Sequence, residues 1–212
     1  MAEAPVLEDT ERTTGRVALR KNIAAAMALS GAVRSTLGPK GLDKLLLDDE
    51  GRTLVTNDGV TVLETARVEH PVARMLIDAS SAQDRAARDG TTSAVVIAAE
   101  LLRNAWHLVL QGVHPSTIVR GYRLAEIEAM THLESIAFEG NEDDLVTAVR
   151  SSLAGKASRG VQTRLADLAM EAARCVERTV DGTHEVDPTR VSKVIAVGRP
   201  ATDSEIVAGL VL

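Results

Sequence analysis

Aromatic residues, cysteine and net positive charge are all scarce in this sequence of 212 residues. Its only aromatic residues are Trp106, Tyr122 and Phe138, so we expect a core built from Ala, Val, Leu and Ile, which suits closely packed helices. The lone Cys175 excludes an intrachain disulfide and fits a reducing, cytoplasmic compartment. With 24 basic and 30 acidic residues, the net charge of −6 argues against a general nucleic-acid-binding protein.

Long apolar runs are also missing from the sequence. No segment approaches the roughly 18 consecutive apolar residues of a membrane span, and the N-terminus lacks the pattern of a signal peptide. Hydrophobic residues make up 45% and charged residues 25%, an ordinary composition for a soluble globular protein of one or two domains. The sequence therefore predicts a globular protein that makes no membrane contact.

Apolar periodicity divides the chain into a helical first part and a smaller mixed part, after a polar arm over residues 1–15 that is predicted to be disordered. The segments "KLLLD" and "RTLVTN" are predicted to form a hairpin, and two strands are predicted within 189–198 and 203–212. The predicted fold class is mainly α with small β elements (α+β), with a boundary near residue 140. The predicted helices span 16–35, 71–88, 91–111, 115–137, 142–153 and 159–177.

Two expectations concern apolar surface. The helix beginning at Thr91 is expected to bury most of its apolar side chains, whereas exposure over several turns would indicate an absent partner segment. At the other end, "EIVAGLVL" is an apolar β-like run with no following turn or partner strand. This run predicts that the chain is a fragment, a split gene product or a truncated form of a longer protein.

The segment "RDGTTSAVVIAAELL", Arg88 to Leu102, places an acid, a glycine and three hydroxyl residues directly before an apolar run. The free N–H groups and partial positive charge of a helix start attract anions, and Gly90 would let a phosphate approach the backbone closely. Asp89 would repel a phosphate unless Mg²⁺ lay between them. The alternative is that Asp89 or a threonine simply caps a core helix.

Three further loops have the same ambiguity. "TLGPKG", residues 36–41, is a stiff turn with Lys40 at its tip, and "NDG", residues 57–59, favours a tight turn whatever its function. Asp58 could orient or deprotonate a water beside a phosphate. Lys156 in "SSLAGKAS" could reach a terminal phosphate or could be solvated, and its surroundings do not match a Walker A loop.

The order of these loops along the chain resembles that of the group II chaperonins, the archaeal thermosome and its eukaryotic cytosolic relatives. The resemblance runs through "RKNIAAAMALSGAVRSTLGPKGLDKLLLD", "TNDGVTVL", "VEHPVARMLIDASSAQDRAARDGTTSAVVIAAELL" and "GVHPSTIVRGYRLA". It covers roughly 16–212, with four separate motifs at the family's spacing. It implies an ATP hydrolase that uses ATP and Mg²⁺.

The resemblance also implies roles for particular residues. Asp58 and Asp89 would be the catalytic residues, Asp58 by activating water and Asp89 by holding Mg²⁺. Lys156 would lie in the loop that senses the γ-phosphate. The implied nucleotide contacts are Thr36, Leu37, Gly38, Pro39, Asn57, Gly59, Gly90, Thr91, Thr92, Ser93 and Lys156.

Domain organisation and partners follow from the same resemblance. Residues 16–140 would form the first part of an equatorial ATP-binding domain, 141–200 the first part of an intermediate α/β domain, and 201–212 the start of an apical domain. The implied partners are other chaperonin subunits in a ring and unfolded client proteins. A truncated relative that binds nucleotide or other subunits without turning over ATP is the alternative.

Arg88 departs from the family pattern, which usually has Gly immediately before the Asp-Gly-Thr-Thr run. A large cation at this position could crowd a bound phosphate, or it could supply additional positive charge. The two possibilities predict opposite effects on nucleotide affinity.

Overall fold

A computed structural model describes residues 12–47, 51–66, 68–154 and 158–209. The chain divides into two compact units, Met1–Ile136 and Ala137–Leu212. Most of the predicted disordered arm, up to residue 11, lies outside the described residues, as do the last three residues of the predicted final strand.

The first unit is helical with one small hairpin. Strands β1 (Lys44–Leu47) and β2 (Thr53–Thr56) pair in an antiparallel arrangement, with Lys44 opposite Thr56 and Leu47 opposite Thr53, so the predicted hairpin is confirmed. In chain order the elements are α1 (Gly15–Arg34), β1 (Lys44–Leu47), β2 (Thr53–Thr56), α2 (Gly59–Thr65), α3 (Pro71–Ala87), α4 (Thr91–Leu110) and α5 (Pro115–Ile136).

Local sequence signals set where these helices begin and end. Gly38, with φ of 82°, lies in the turn that follows α1, a conformation that glycine adopts without steric cost. Pro71 occupies the first turn of α3, where its missing N–H is not needed, and the Nδ1 of His70 accepts a hydrogen bond from the N–H of Val72. Gly112, with φ of 93°, follows α4. The predicted helix starts are therefore confirmed to within one residue here.

One cluster of small and branched side chains joins α1, α2, α3 and α4. Leu63 of α2, Val33 of α1 and Val95 of α4 are each 1% exposed or less, so the cluster is closed to water at its centre. Such close packing without aromatic residues is what the composition predicts. The buried members are Ala26, Leu29, Val33, Val62, Leu63, Ala73, Leu76 and Val95.

The expected burial of α4 is wrong. Val95 and Ala99 are buried where α1 and α3 pack on the helix, but Ile97, Leu101 and Leu110 are exposed. Helix α5 continues the pattern, since Ile118 is its one buried residue among those described. The apolar periodicity predicted the helix correctly. Whether its apolar face is covered depends on the elements that pack on it, and the described neighbouring elements cover only part of that face.

By length and hydropathy α4 could cross a membrane, although the core helices of soluble proteins meet the same test.

The middle of α4 carries a charged cluster. The guanidinium of Arg34 donates to Glu100 Oε1, and Arg103 Nη2 lies 2.5 Å from Glu100 Oε2. The hydrogen bond from Arg34 is the largest of the influences that lower the pKa of Glu100.

This ion-pair cluster gives a testable pH dependence. Because the pKa of Glu100 is lowered from 4.5 by folding, its carboxylate stabilises the fold above that pH and ceases to do so as the pH falls through the lower folded value. We expect Glu100→Gln to lower the free energy of unfolding at about pH 7, with a difference that shrinks as the pH drops below the unfolded value. Urea unfolding curves of the wild type and Glu100→Gln at several pH values measure this difference in the free energy of unfolding.

Exposed Glu128 on α5 provides the control for this prediction. Glu128→Gln should leave the pH dependence of unfolding nearly unchanged. An equal destabilisation by Glu100→Gln at neutral and acid pH would show that the carboxylate charge contributes nothing to it.

The second unit contains two helices and a hairpin, and the two predicted strands are wrong over the residues described here. Over 187–209 the chain forms two short 3₁₀ turns and irregular backbone instead. Asn141 caps the first helix in a capping box with Asp144. The elements are α6 (Glu142–Leu153), α7 (Arg159–Val176), β3 (Glu177–Val180), β4 (Thr183–Val186) and the turns Pro188–Arg190 and Ala201–Asp203.

The β3–β4 hairpin was missed although the sequence carries a signal for it. Asp181 and Gly182 join the strands, both with positive φ (51° and 80°), and Asp-Gly is a preferred pair for a two-residue hairpin turn. Apolar content led the prediction to the later Val- and Ile-rich segment instead. The turn residues Asp181 and Gly182 indicate the hairpin more reliably than apolar content does, because they determine where the chain reverses direction.

Candidate functional site

Helices α2 and α4 begin side by side. A Cβ atom placed on Gly59 would lie 2.1 Å from Thr92 Oγ1 and 3.3 Å from Thr92 Cβ, so the backbone at the start of α2 touches the first turn of α4. Each helix start carries a partial positive charge. The contact brings two such ends, one after Asp58 and one after Asp89, onto the same part of the surface.

The start of α4 has no side-chain cap. Its N-cap residue is Gly90, with φ of 76°, and no side chain among the described residues caps the first-turn N–H groups. Asp89 Oδ1 instead accepts from the N–H of Gly90 at 2.7 Å, outside the helix. The alternative that Asp89 or a threonine caps this helix is therefore wrong, and the first-turn N–H groups remain suited to an external acceptor.

Asp58, in contrast, is a true helix cap. Its Oδ2 accepts from both the N–H and the Oγ1 of Thr61, at 2.9 and 2.6 Å, while its own N–H donates to Thr56 Oγ1 at 3.1 Å. The side chain of Asp58 nevertheless stays exposed, and Asn57 before it is half-buried. The carboxylate is thus fixed in place at the surface, close to the start of α4.

Helix α3 holds the loop that leads into α4. Gln83 Nε2 donates to the carbonyl oxygen of Asp89 at 3.0 Å, and the buried Ser80 Oγ donates to the carbonyl oxygen of Thr91 at 3.3 Å. Ser80 and Gln83 are three residues apart and therefore share one face of the helix. Sequence reasoning did not identify these two supports, although two polar residues at helical spacing just before a glycine loop are a usable signal.

The turn after α1 forms the third part of the candidate site. Thr36 is buried and its Oγ1 donates to the carbonyl oxygen of Val33 at 2.8 Å, whereas Leu37 is exposed. A Cβ on Gly41 would lie 2.2 Å from the carbonyl oxygen of Thr36, which shows how tightly the turn closes. The hydrogen bonds described for Thr36, Leu37 and Gly41 are internal to the turn or to the end of α1.

The shared core relates the three segments to one another. Each segment lies one helical turn from a buried valine, and all three valines belong to the single cluster that joins α1 to α4. The relative positions of the three segments are therefore determined by close-packed side chains. The pairs are Val33 with Thr36, Val62 with Gly59 and Val95 with Thr92.

The donor set at this surface matches a metal-bound phosphate better than a metal alone. Asp89 is exposed, and among the described residues no group of three or more His, Cys, Asp or Glu side chains is placed to hold a metal ion. A cation beside Asp89 would thus take its remaining ligands from water and from phosphate oxygens, as Mg²⁺ commonly does. Thr91 and Thr92 are buried, Ser93 is half-buried, and predicted Lys156 lies outside the described residues.

Comparison with known proteins gives the class of this protein as a chaperonin. The chain belongs to the TCP-1/cpn60 chaperonin family, which it matches over residues 29–212. The predicted resemblance is therefore confirmed, and so is the mainly helical fold class.

Individual relatives support the same assignment. The chain is 43% identical to thermosome subunit alpha of Archaeoglobus fulgidus over 98% of its own length and 39% of that protein. It is 41% identical to a thermosome subunit of Pyrococcus abyssi over 100% of its own length and 40% of that protein. A crystal structure of a group III chaperonin in the open state superposes with a TM-score of 0.62 at 38% identity, covering 73% of this chain and 32% of that one. The chain thus spans about two fifths of the length of these curated relatives.

Proposed function

We propose that this chain belongs to a chaperonin subunit that binds Mg·ATP where α2 and α4 begin. The observation that carries the proposal is the uncapped start of α4, held against the start of α2 by the approach of Gly59 to Thr92. Uncapped N–H groups beside an exposed carboxylate suit a phosphate bridged to a divalent cation. When bound, Mg²⁺ would offset the charge between Asp89 and the phosphates.

Each segment has a role in this proposal. The first turn of α4 donates hydrogen bonds to the phosphates, and Asp89 binds the cation. Asp58, beside Asn57 and Gly59, orients or deprotonates the attacking water, and the resemblance to the family assigns Lys156 to sensing of the γ-phosphate. The phosphate contacts come from Gly90, Thr91, Thr92 and Ser93, and further nucleotide contacts come from Thr36, Leu37, Gly38 and Pro39.

The wider function follows from family membership. In a complete subunit, residues 16–140 would belong to the equatorial ATP-binding domain, 141–200 to the intermediate domain and 201–212 to the apical domain. ATP hydrolysis would drive a ring of subunits to enclose unfolded proteins in the cytoplasm, with no role for nucleic acid or membranes. The sequence relationship to thermosome subunits supports this proposal.

A second candidate is a non-catalytic relative that binds nucleotide or other chaperonin subunits. The exposed apolar side chains of α4 and α5 fit its subunit-binding form, because an uncovered face of this kind often marks a protein interface. Turnover separates the ATPase from a relative that binds nucleotide, since both require the same binding surface and only the first releases phosphate.

Calorimetry of the 212-residue chain with Mg·ATP tests the proposal directly. We expect binding with Mg²⁺ that weakens when EDTA is added, and we expect Asp89→Asn to weaken Mg·ATP binding by about tenfold or more. Asp78→Asn, which changes an exposed acid elsewhere on α3, is the matched control and should bind as the wild type does.

The outcomes of this experiment are distinct. Binding accompanied by phosphate release supports the ATPase, whereas binding without release supports the non-catalytic relative. An absence of Mg·ATP binding in a folded chain contradicts the ATPase and the nucleotide-binding form of the second candidate, and leaves only a relative that associates with other subunits.

A further inference from the structure

Arg88 adopts an unusual backbone conformation beside the proposed phosphate site. It ends α3 with φ of 55° and ψ of 17°, the left-handed region, where only Asp181 joins it among the described non-glycine residues. This region favours glycine. Arginine therefore occupies a position where the backbone conformation favours glycine.

Two hydrogen bonds tie Arg88 to Asp84, one turn earlier on α3. The backbone N–H of Arg88 donates to the carbonyl oxygen of Asp84 at 2.8 Å, and its Nη1 donates to Asp84 Oδ2 at 3.1 Å. The arginine side chain is 76% exposed, so the ion pair lies in water. Exposed pairs of this kind contribute little free energy, and the guanidinium can exchange partners readily.

The proposed phosphate site lies within reach of this guanidinium. Arg88 is two residues from Gly90, so their Cα atoms are at most about 7.6 Å apart. The first-turn N–H groups of α4 begin there without a side-chain cap. A guanidinium can donate two parallel hydrogen bonds to a phosphate, whereas Asp84 receives a single described hydrogen bond from it.

We propose that Arg88 is a phosphate-binding residue that exchanges Asp84 for a phosphate of the bound nucleotide. Asp84 then competes with the nucleotide for the guanidinium and sets how much affinity Arg88 adds. The inference rests on the proposed nucleotide site. A cation at this position could either crowd the phosphate or add positive charge, and we infer the second effect. The guanidinium lies against Asp84 on α3 and therefore does not crowd the site.

A double-mutant cycle on Mg·ADP binding tests this exchange, and ADP avoids interference from turnover. Arg88→Gln keeps a side chain on the left-handed backbone but removes the charge, so we expect binding about tenfold weaker. Asp84→Asn frees the guanidinium and should tighten binding about two- to fivefold. In the Arg88→Gln background, Asp84→Asn should have no effect.

The possible results are separable. A folded wild-type chain that takes up no Mg·ADP contradicts the nucleotide site itself. If the wild type binds and Arg88→Gln binds equally well, the site stands and the role of Arg88 is wrong. If Asp84→Asn tightens binding equally in both backgrounds, Asp84 acts by direct repulsion of the phosphates, which also overturns the exchange. Circular dichroism of each variant confirms that it is folded.

Discussion

Gly59→Ala should weaken Mg·ATP binding by at least about tenfold, corresponding to about 1.4 kcal/mol or more. The added methyl would meet Thr92 Oγ1 at 2.1 Å and Thr92 Cβ at 3.3 Å. Rotation of the threonine side chain can relieve the first contact but not the second, so the starts of α2 and α4 must move apart by a few tenths of an ångström. We also expect the free energy of unfolding to fall by about 1–3 kcal/mol, a typical cost of overpacking.

Gly121→Ala is the matched control for this prediction. Gly121 lies within α5, and a Cβ there would have no atom within 4 Å. The same substitution should therefore stabilise the helix by up to about 1 kcal/mol and leave nucleotide binding unchanged. Calorimetric binding and urea unfolding of both variants give the comparison. Wild-type affinity in a folded Gly59→Ala chain would show that the two helix starts do not act together.

Asp58→Asn should lower phosphate release by about 10²- to 10⁴-fold while leaving nucleotide affinity nearly unchanged. Asparagine caps helices about as well as aspartate, and its side-chain oxygen can still accept from the N–H of Thr61. The substitution therefore removes the carboxylate charge and basicity without removing the cap. Steady-state phosphate release and calorimetric binding separate the two effects.

Asp187, in the second unit, offers a second capping aspartate as the control. Its Oδ1 accepts from the N–H and Oγ1 of Thr189 at 3.0 and 2.6 Å, the same pair of donor groups that Asp58 binds on Thr61, although Thr189 is two residues ahead and Thr61 three. Asp187→Asn should leave phosphate release unchanged. Equal turnover by wild type and Asp58→Asn would remove Asp58 from the chemistry and leave it as a structural cap.

Local features of the first unit were predictable because they depend on residues close together in the sequence. The start of α3 at Pro71 and the end of α1 before Gly38 follow from backbone preferences of single residues. The start of α2 was less predictable. The spacing of Thr61 and Glu64 allows a capping box, but in the structure Asp58 caps α2 and Glu64 accepts from Ser81 instead.

The candidate site was only partly predictable, because some of its contacts join residues that are far apart in the sequence. The sequence indicated that Asp89, Gly90 and Thr92 could bind a phosphate, but capping was an equally physical interpretation. Excluding the cap needed the orientation of Asp89, which bonds outside the helix. Support of the loop by Gln83 depends on the angle at which α3 meets it, which no local pattern encodes.

By itself the sequence determined the positions of the long helices, the first hairpin and the family, because backbone preferences, apolar period and motif order are all local or linear properties. The tertiary structure alone decided that Gly59 lies against Thr92, that α4 starts without a cap, and that much of the apolar surface of α4 stays exposed. These features depend on which distant elements pack together. Packing is a property of the whole core, and it cannot be obtained from any one segment.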